Sequence, residues 1–256
     1  MKGEEERIFF HTWLSTRRGV IWIPIWGIHP GYLTRSELLT EHQQLHAAGE
    51  EGAEEGRVLA GDKASPAWIY WRHRLVVAEL TLRGQSHSTP LSAPAQEDEG
   101  VESVTAGLNQ QFGLLAGRRE PDQRGRIPLP ARGYDFWAHH KYSVMARGYN
   151  RYRHVAQRSQ SLGRPEIGEA GEMVELVYGY LHRRPEITAI RNTWQHVIGY
   201  FKGKLSSEVR RGWLQLLPEE TDELRLIVYQ RALEFALEYI VNSTLLADPD
   251  SFSKIR

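Results

Sequence analysis

A chain of 256 residues with 32 Lys+Arg against 32 Asp+Glu and 41% hydrophobic residues is long enough for one large or two small globular domains. It contains no cysteine, which excludes disulfides, thiolate nucleophiles, iron–sulfur clusters and cysteine-ligated zinc, while leaving histidine and carboxylate sites open. The longest apolar run, Val20 to Ile28, spans about half a membrane and is interrupted by Pro24, and the start lacks the charge pattern of a signal or transit peptide, so a cytoplasmic protein without membrane association is expected.

In chain order, Ser36 is a candidate cap for a helix running to about Ala48, because Leu38, Leu39, His42, Leu45 and His46 recur at helical spacing. After Pro66, residues Trp68, Trp71, Leu75, Ala78 and Leu82 share a face, and Gly84 is placed to end that helix in a left-handed conformation. Val101 to Ala116 predicts a third helix, and Gly125 to Gly133, with Pro128 and Pro130, an extended connector and domain boundary. Beyond it, Tyr134 to Arg147, Tyr149 to about Leu162 and Glu169 to Arg183 read as helices. Thr188 begins another with Ile190, Trp194, Val197, Ile198 and Phe201 buried. Ser206 or Ser207 caps the next, and Pro218 opens one long helix through Leu224, Ile227, Val228, Phe235 and Tyr239. No segment alternates with period two, so the fold class is mainly α, two packed all-helical modules, divided as 1–22 (an extension), 23–124 and 125–256.

The neutral total conceals a local imbalance. Arg118 to Arg164 carries eleven basic residues against three acidic ones, interleaved with Tyr134, Phe136, Trp137, Tyr142, Tyr149 and Tyr152. Such a mixture suits phosphate contact plus base stacking, and equally a basic helical surface whose aromatics face a core. Candidate nucleic-acid contacts are Arg83, Arg132, Trp137, His140, Lys141, Tyr142, Arg147, Arg151 and Arg153. Asn192, Gln195 and His196 stand at i, i+3 and i+4 with Lys202 following, a polar helix face suited to lining a pocket, reading a base edge or knitting helices together. His42 and His46, four apart, present two imidazoles on one face, and Glu41, His73, Glu79 and His87 are available to complete a metal site. Paired histidines at this spacing are more often structural, and no metal and no cofactor is expected. No phosphate-binding glycine loop or nucleophile elbow is present.

Ile25-Trp26-Gly27-Ile28-His29-Pro30-Gly31-Tyr32-Leu33, followed by Leu38-Leu39-Thr40-Glu41-His42-Gln43-Gln44-Leu45-His46, resembles the opening of the pyrimidine-dimer DNA glycosylase family. Trp71 to Arg74, Ala78-Glu79-Leu80, Leu82-Arg83-Gly84 and His87-Ser88 resemble its later helix and arginine–glycine turn. The resemblance implies a compact helical fold and a nucleophilic amine at the mature N-terminus that attacks the sugar C1′ of a UV-induced dimer. It also implies a glutamate on the first helix assisting cleavage, and a base flipped from the duplex. Here some 23 residues precede Pro24, the position matching that terminus, and the family glutamate falls on Gln44, with Gln43 in place of an arginine. Glu41, one turn earlier, is the nearest substitute carboxylate, so Pro24, Glu41 and Gln44 are the candidate catalytic positions.

The second half resembles a poorly characterised bacterial family found beside photolyase genes or fused to thiouracil-desulfidase-type domains. The residues carrying this are His140 to Ala146, Tyr152-Arg153, Asn192 to Lys202, Lys204-Leu205-Ser206 and Leu245 to Pro249. Together the two resemblances lead to the expectation of a nucleic-acid-binding protein of UV-damage repair. Its partners would be double-stranded or damaged DNA and other repair proteins. The alternatives are an active glycosylase/lyase using a processed N-terminus or a lysine, a non-catalytic interaction module, and an enzyme acting on modified pyrimidines through the Asn192 face.

Overall fold

The computed structural model describes residues 25–50, 56–57, 63–93, 107–120, 122–216 and 221–251. The expected extension 1–22 and the candidate Pro24 lie outside these residues. The chain is mainly α, with helices α1 (Arg35–Glu50), α2 (Pro66–Leu82), α3 (Leu108–Arg118), α4 (Gly133–Ala146) and α5 (Tyr149–Ser161). They are followed by α6 (Gly171–Leu181), α7 (Ile187–Gly199), α8 (Ser207–Gln215), α9 (Thr221–Glu234) and α10 (Glu238–Val241). Among the described residues the extended pairing is minimal: a two-residue antiparallel ladder pairs Gly56 with Ala64 and Arg57 with Lys63, and isolated bridges join Arg132 to Glu166 and Lys202 to Leu205. No described helix is long and apolar enough to cross a membrane.

The helix ends follow local chemistry. Helix α1 is capped by Thr34, two residues before the predicted Ser36 cap. Thr34 Oγ1 accepts the Glu37 N–H at 3.3 Å while Glu37 Oε2 accepts the Thr34 N–H at 2.7 Å, a reciprocal capping box. Ser65 Oγ accepts the Trp68 N–H at 3.1 Å with Pro66 in the first turn of α2. That helix closes as predicted at Gly84, whose φ of 75° permits the Gln85 N–H to reach the Leu80 carbonyl at 3.0 Å. The predicted long last helix is instead two: Ala236 takes φ 50°, and the Leu237 N–H returns to the Ala232 carbonyl at 2.8 Å. This is a C-terminal reversal with alanine where glycine is usual, a conformation that costs about 1 kcal/mol or more and turns Tyr239 and Ile240 back toward the protein. The predicted start at Pro218 lies outside the described residues.

Two hydrophobic clusters form the interior. The first joins Ile28, Tyr32, Leu38, Trp68 and Val76 with Phe112, Ile127, Phe136, Val155, Val174 and Tyr178, drawing on both sides of the expected boundary at 125. The second gathers Trp194, Phe201, Trp213, Val228, Ile240 and Leu246 around Tyr142, Met145, Ala78 and Leu82. Helix α4 therefore contributes to both. The connector is non-helical as predicted but bends at Arg126 and Ile127, and it is fastened, since Ile127 is buried and its N–H bonds the Gly31 carbonyl at 2.9 Å.

Candidate functional site

Helices α1 and α2 pack side by side and carry the positions matched by the first resemblance. Arg72, fully buried on α2, donates from Nε to Glu41 Oε1 and from Nη2 to Glu41 Oε2, both at 2.9 Å, and from Nη1 to the Ile28 carbonyl at 2.5 Å. Glu41 Oε1 also accepts the Trp26 N–H at 3.0 Å. Burial raises the Glu41 carboxyl, and Arg72 with the Trp26 amide works against that rise. Such a bidentate pair fixes the segment before α1 against both helices. Gln44, on the same helix, is half-buried, and its Oε1 is buried with no hydrogen-bond partner among the described residues, while Gln43 is exposed. Arg83, a candidate DNA contact, is held inward, with Nε 2.7 Å from Glu79 Oε1 and Nη2 3.2 Å from the Gly31 carbonyl.

On another part of the same two helices four histidines meet. His42 and His46 from α1, His73 from α2 and His87 from the segment after the Gly84 turn each present a ring nitrogen, and these atoms all lie within 4.8 Å of one another. His46 Nε2 is 3.3 Å from His42 Nε2 and 3.1 Å from His73 Nε2. Burial, then the neighbouring imidazoles, lower His42 to about 4 and His73 to about 3. Of the six positions available for a metal, Glu41 and Glu79 are not in this group, being paired with Arg72 and with Arg126 and Arg83.

The basic segment divides between interior and surface. Trp137, His140, Tyr142 and Arg147, expected as nucleic-acid contacts, are all buried, so a bound duplex cannot touch them on the surface seen here. Trp137 lies under Tyr152, His140 Nε2 meets Tyr32 Oη at 3.2 Å, and Arg147 pairs with Asp248. Arg119 and Arg126 likewise pair with Glu37 and Glu79. Arg132 and Arg153 are exposed, and Arg151 is half-buried against Glu186 at 3.3 Å.

Around Lys141 the surface is aromatic. Its Nζ stands 4.1 Å from the Tyr239 ring centroid and 4.9 Å from that of Tyr142, and burial lowers the amine to about 8. Tyr142 Oη donates to Tyr200 Oη at 3.0 Å, and the rings of Tyr149 and Tyr152 stack with centroids 5.8 Å apart. Burial raises Tyr152, and the hydroxyls of Tyr149, Tyr200 and Tyr134 raise it further. Tyr134, Tyr149 and Tyr200 are 51%, 56% and 43% exposed, and the Arg164 guanidinium lies over Tyr134 at 5.4 Å. Sequence patterning marked Lys141 and the α4–α5 aromatics but missed Tyr200 and Tyr239, which reach the site only through the fold of α7 and the reversal at Ala236. Asn192, Gln195 and His196 are exposed along α7 with Lys202 beyond its end, so they face solvent and do not knit helices.

Comparison with protein families gives two matches. Residues 23–93 match the pyrimidine dimer DNA glycosylase family. The glycosylase-like region thus contains α1, α2, the Glu41–Arg72 pair, Gln44 and all four clustered histidines. Residues 141–248 match a family of proteins of unknown function (DUF1722), a span that begins at Lys141 and contains Tyr142, Tyr200 and Tyr239. No curated protein and no solved structure matches the chain.

Proposed function

We propose that the protein is a DNA-binding component of pyrimidine-dimer repair that grips DNA through the tyrosine surface around Lys141 and does not itself cleave the glycosidic bond through the family glutamate. The observation carrying this reading is the exposure of Tyr134, Tyr149 and Tyr200 together with that of Arg132 and Arg153, and the Arg164 guanidinium over the Tyr134 ring. Flat rings on a surface bind unstacked bases, and guanidiniums beside them bind phosphates. The catalytic clause rests on α1: Gln44 offers a carboxamide in place of the family carboxylate, and Glu41 has both oxygens on Arg72. Fluorescence anisotropy with UV-irradiated and undamaged duplex tests the reading. Replacing Arg132 and Arg153 together by Ala should lower the slope of log K against log salt by about 2, since each lost phosphate contact removes about 0.9. Tyr149→Ala should cost about 1–3 kcal/mol on a substrate with an unstacked base and leave that slope unchanged. Salt-insensitive or absent binding rejects the proposal.

A second reading is favoured by the placement of Lys141, half-buried with its Nζ 4.1 and 4.9 Å from the Tyr239 and Tyr142 ring centroids, where burial lowers the amine. An amine near 8 is partly unprotonated at neutral pH and is a competent nucleophile. On an abasic site it would add to the C1′ aldehyde and expel water to form an imine, which borohydride reduces to a stable secondary amine. The expected result under this reading is a borohydride-trapped protein–DNA adduct in the wild type that disappears in Lys141→Met. An adduct that survives in Lys141→Met assigns the amine elsewhere, and binding without any adduct supports the non-cleaving reading.

A further inference from the structure

The four histidines of the glycosylase-like region are unexplained by DNA binding. From their convergence we infer a closed metal site, in which His42, His46, His73 and His87 hold one divalent late first-row ion of the zinc type through imidazole nitrogens.

The geometry is that of a ligand set. Four nitrogens about 2.0–2.1 Å from a tetrahedral ion stand roughly 3.3–3.4 Å from one another. The His42–His46 and His46–His73 separations of 3.3 and 3.1 Å are already at that value, and all four donors fall within 4.8 Å. Hydrogen bonding does not account for the cluster equally well. A neutral imidazole nitrogen has one in-plane lone pair or one N–H, so His46 Nε2 makes one good bond, yet it faces His42, His73 and, at 3.4 Å, Thr89 Oγ1. His87 Nε2 is buried without any hydrogen-bond partner among the described residues, and buried imidazole nitrogens are ordinarily paired.

The donor set selects the class of ion: imidazole without thiolate or carboxylate suits zinc, copper, nickel or cobalt, not magnesium or calcium. Four protein ligands complete a tetrahedral shell, which marks the site as structural and not one that keeps an open position for a substrate. Its mechanical effect follows from where the ligands sit. Three lie on α1 and α2, and the fourth, His87, follows the Arg83–Gly84 turn, so the ion would staple that turn and the segment after it onto the helix pair. Entry is open from the surface, because His42, His46 and His87 are only half-buried.

The test uses the full chain without a polyhistidine tag, stripped with chelator and titrated with Co(II) and with Zn(II). The expected result is the visible absorption of tetrahedral Co(II) saturating at one equivalent and displaced by Zn(II), with Tm raised by roughly 5–10 °C at a hundredfold excess of Zn(II) over Kd. His87→Ala, outside any helix, should keep the helical circular dichroism while weakening Co(II) binding by roughly a hundredfold or more. His46→Ala should abolish the tetrahedral spectrum. No spectrum and no Tm shift in the wild type overturns the site, as does undiminished affinity in both variants. None of these readouts involves DNA, so failure here leaves the DNA-binding proposal standing, and the reverse holds as well.

Discussion

Replacing Glu79 by Ala is expected to destabilise the protein by about 3–5 kcal/mol, read from urea unfolding at neutral pH. Glu79 is fully buried on α2 and accepts Arg126 Nε at 2.9 Å and Nη2 at 2.7 Å together with Arg83 Nε at 2.7 Å. Arg126 extends the clamp through Nη1 to the Val241 and Ser243 carbonyls. One carboxylate of the glycosylase-like region thus holds the arginine that grips the end of the second matched region. Without it Arg126, 3% exposed, becomes an uncompensated buried charge, the costly outcome for such pairs. The double variant Glu79→Leu/Arg126→Met should lose less than Glu79→Ala alone, because apolar groups of similar size replace both charges. A double variant weaker than the single one would mean that the carbonyl contacts of Arg126, not the charge pair, carry the stability.

The same group sets a pH dependence. Burial alone would raise the Glu79 carboxyl, but Arg126 and Arg83 override it and hold it below the ordinary carboxylate value. A depressed carboxyl contributes stability that is fully present above its unfolded pKa, about 4.3, and is lost as pH falls through the folded value. Unfolding measured from pH 6 down to 3 should therefore show a steeper loss in wild type than in Glu79→Gln, which has no proton to gain.

These contacts explain what the sequence conveyed and what it withheld. Helix existence was legible because it is local: Ser65 before Pro66, the glycines at 84 and 148, and apolar spacing each act within a turn or two. The end of α9 was not, since alanine at 236 carries none of the signal that glycine would. The basic segment is the sharper case. Read along the chain, Arg119, Arg126 and Arg147 belong to one positive stretch, yet their acidic partners lie 82, 47 and 101 positions away, and only the fold shows these charges turned inward. Along the sequence Lys141 is one basic residue among the aromatics of α4 and α5, whereas Tyr239, the nearer of the two rings against its amine, is supplied by a chain reversal about a hundred residues later. The histidines divide in the same way. His42 and His46 are adjacent by helical period, while His73 and His87, available by residue type along with Glu41 and Glu79, are singled out only by the packing of α2 on α1 and the path of the chain after Gly84.

The second large effect is expected at Arg147, where Met should cost about 3–5 kcal/mol and DNA affinity should follow stability alone. Arg147, 1% exposed, donates Nε to the Leu181 and Arg183 carbonyls at 2.9 Å each, Nη1 to the Ser143 carbonyl at 2.9 Å and to Asp248 Oδ2, and Nη2 to Asp248 Oδ1 at 3.2 Å. It therefore ties the end of α4 to the end of α6 and to the closing segment, where Asp248 also accepts the Ser251 hydroxyl at 2.9 Å. Met removes every donor at once and strands Asp248, which is 3% exposed, so the loss should exceed that of Asp248→Asn, which keeps an acceptor for the guanidinium. Arg147→Lys should rescue poorly, since a single ammonium cannot span the fork of carbonyls and carboxylate that the planar guanidinium fills. A phosphate contact behaves differently: its loss weakens binding most at low salt, lowers the salt slope and leaves folding untouched. At a temperature where Arg147→Met remains folded, an unchanged salt slope beside a falling one in the Arg132/Arg153 variant would separate the arginine that builds the surface from those that meet DNA on it.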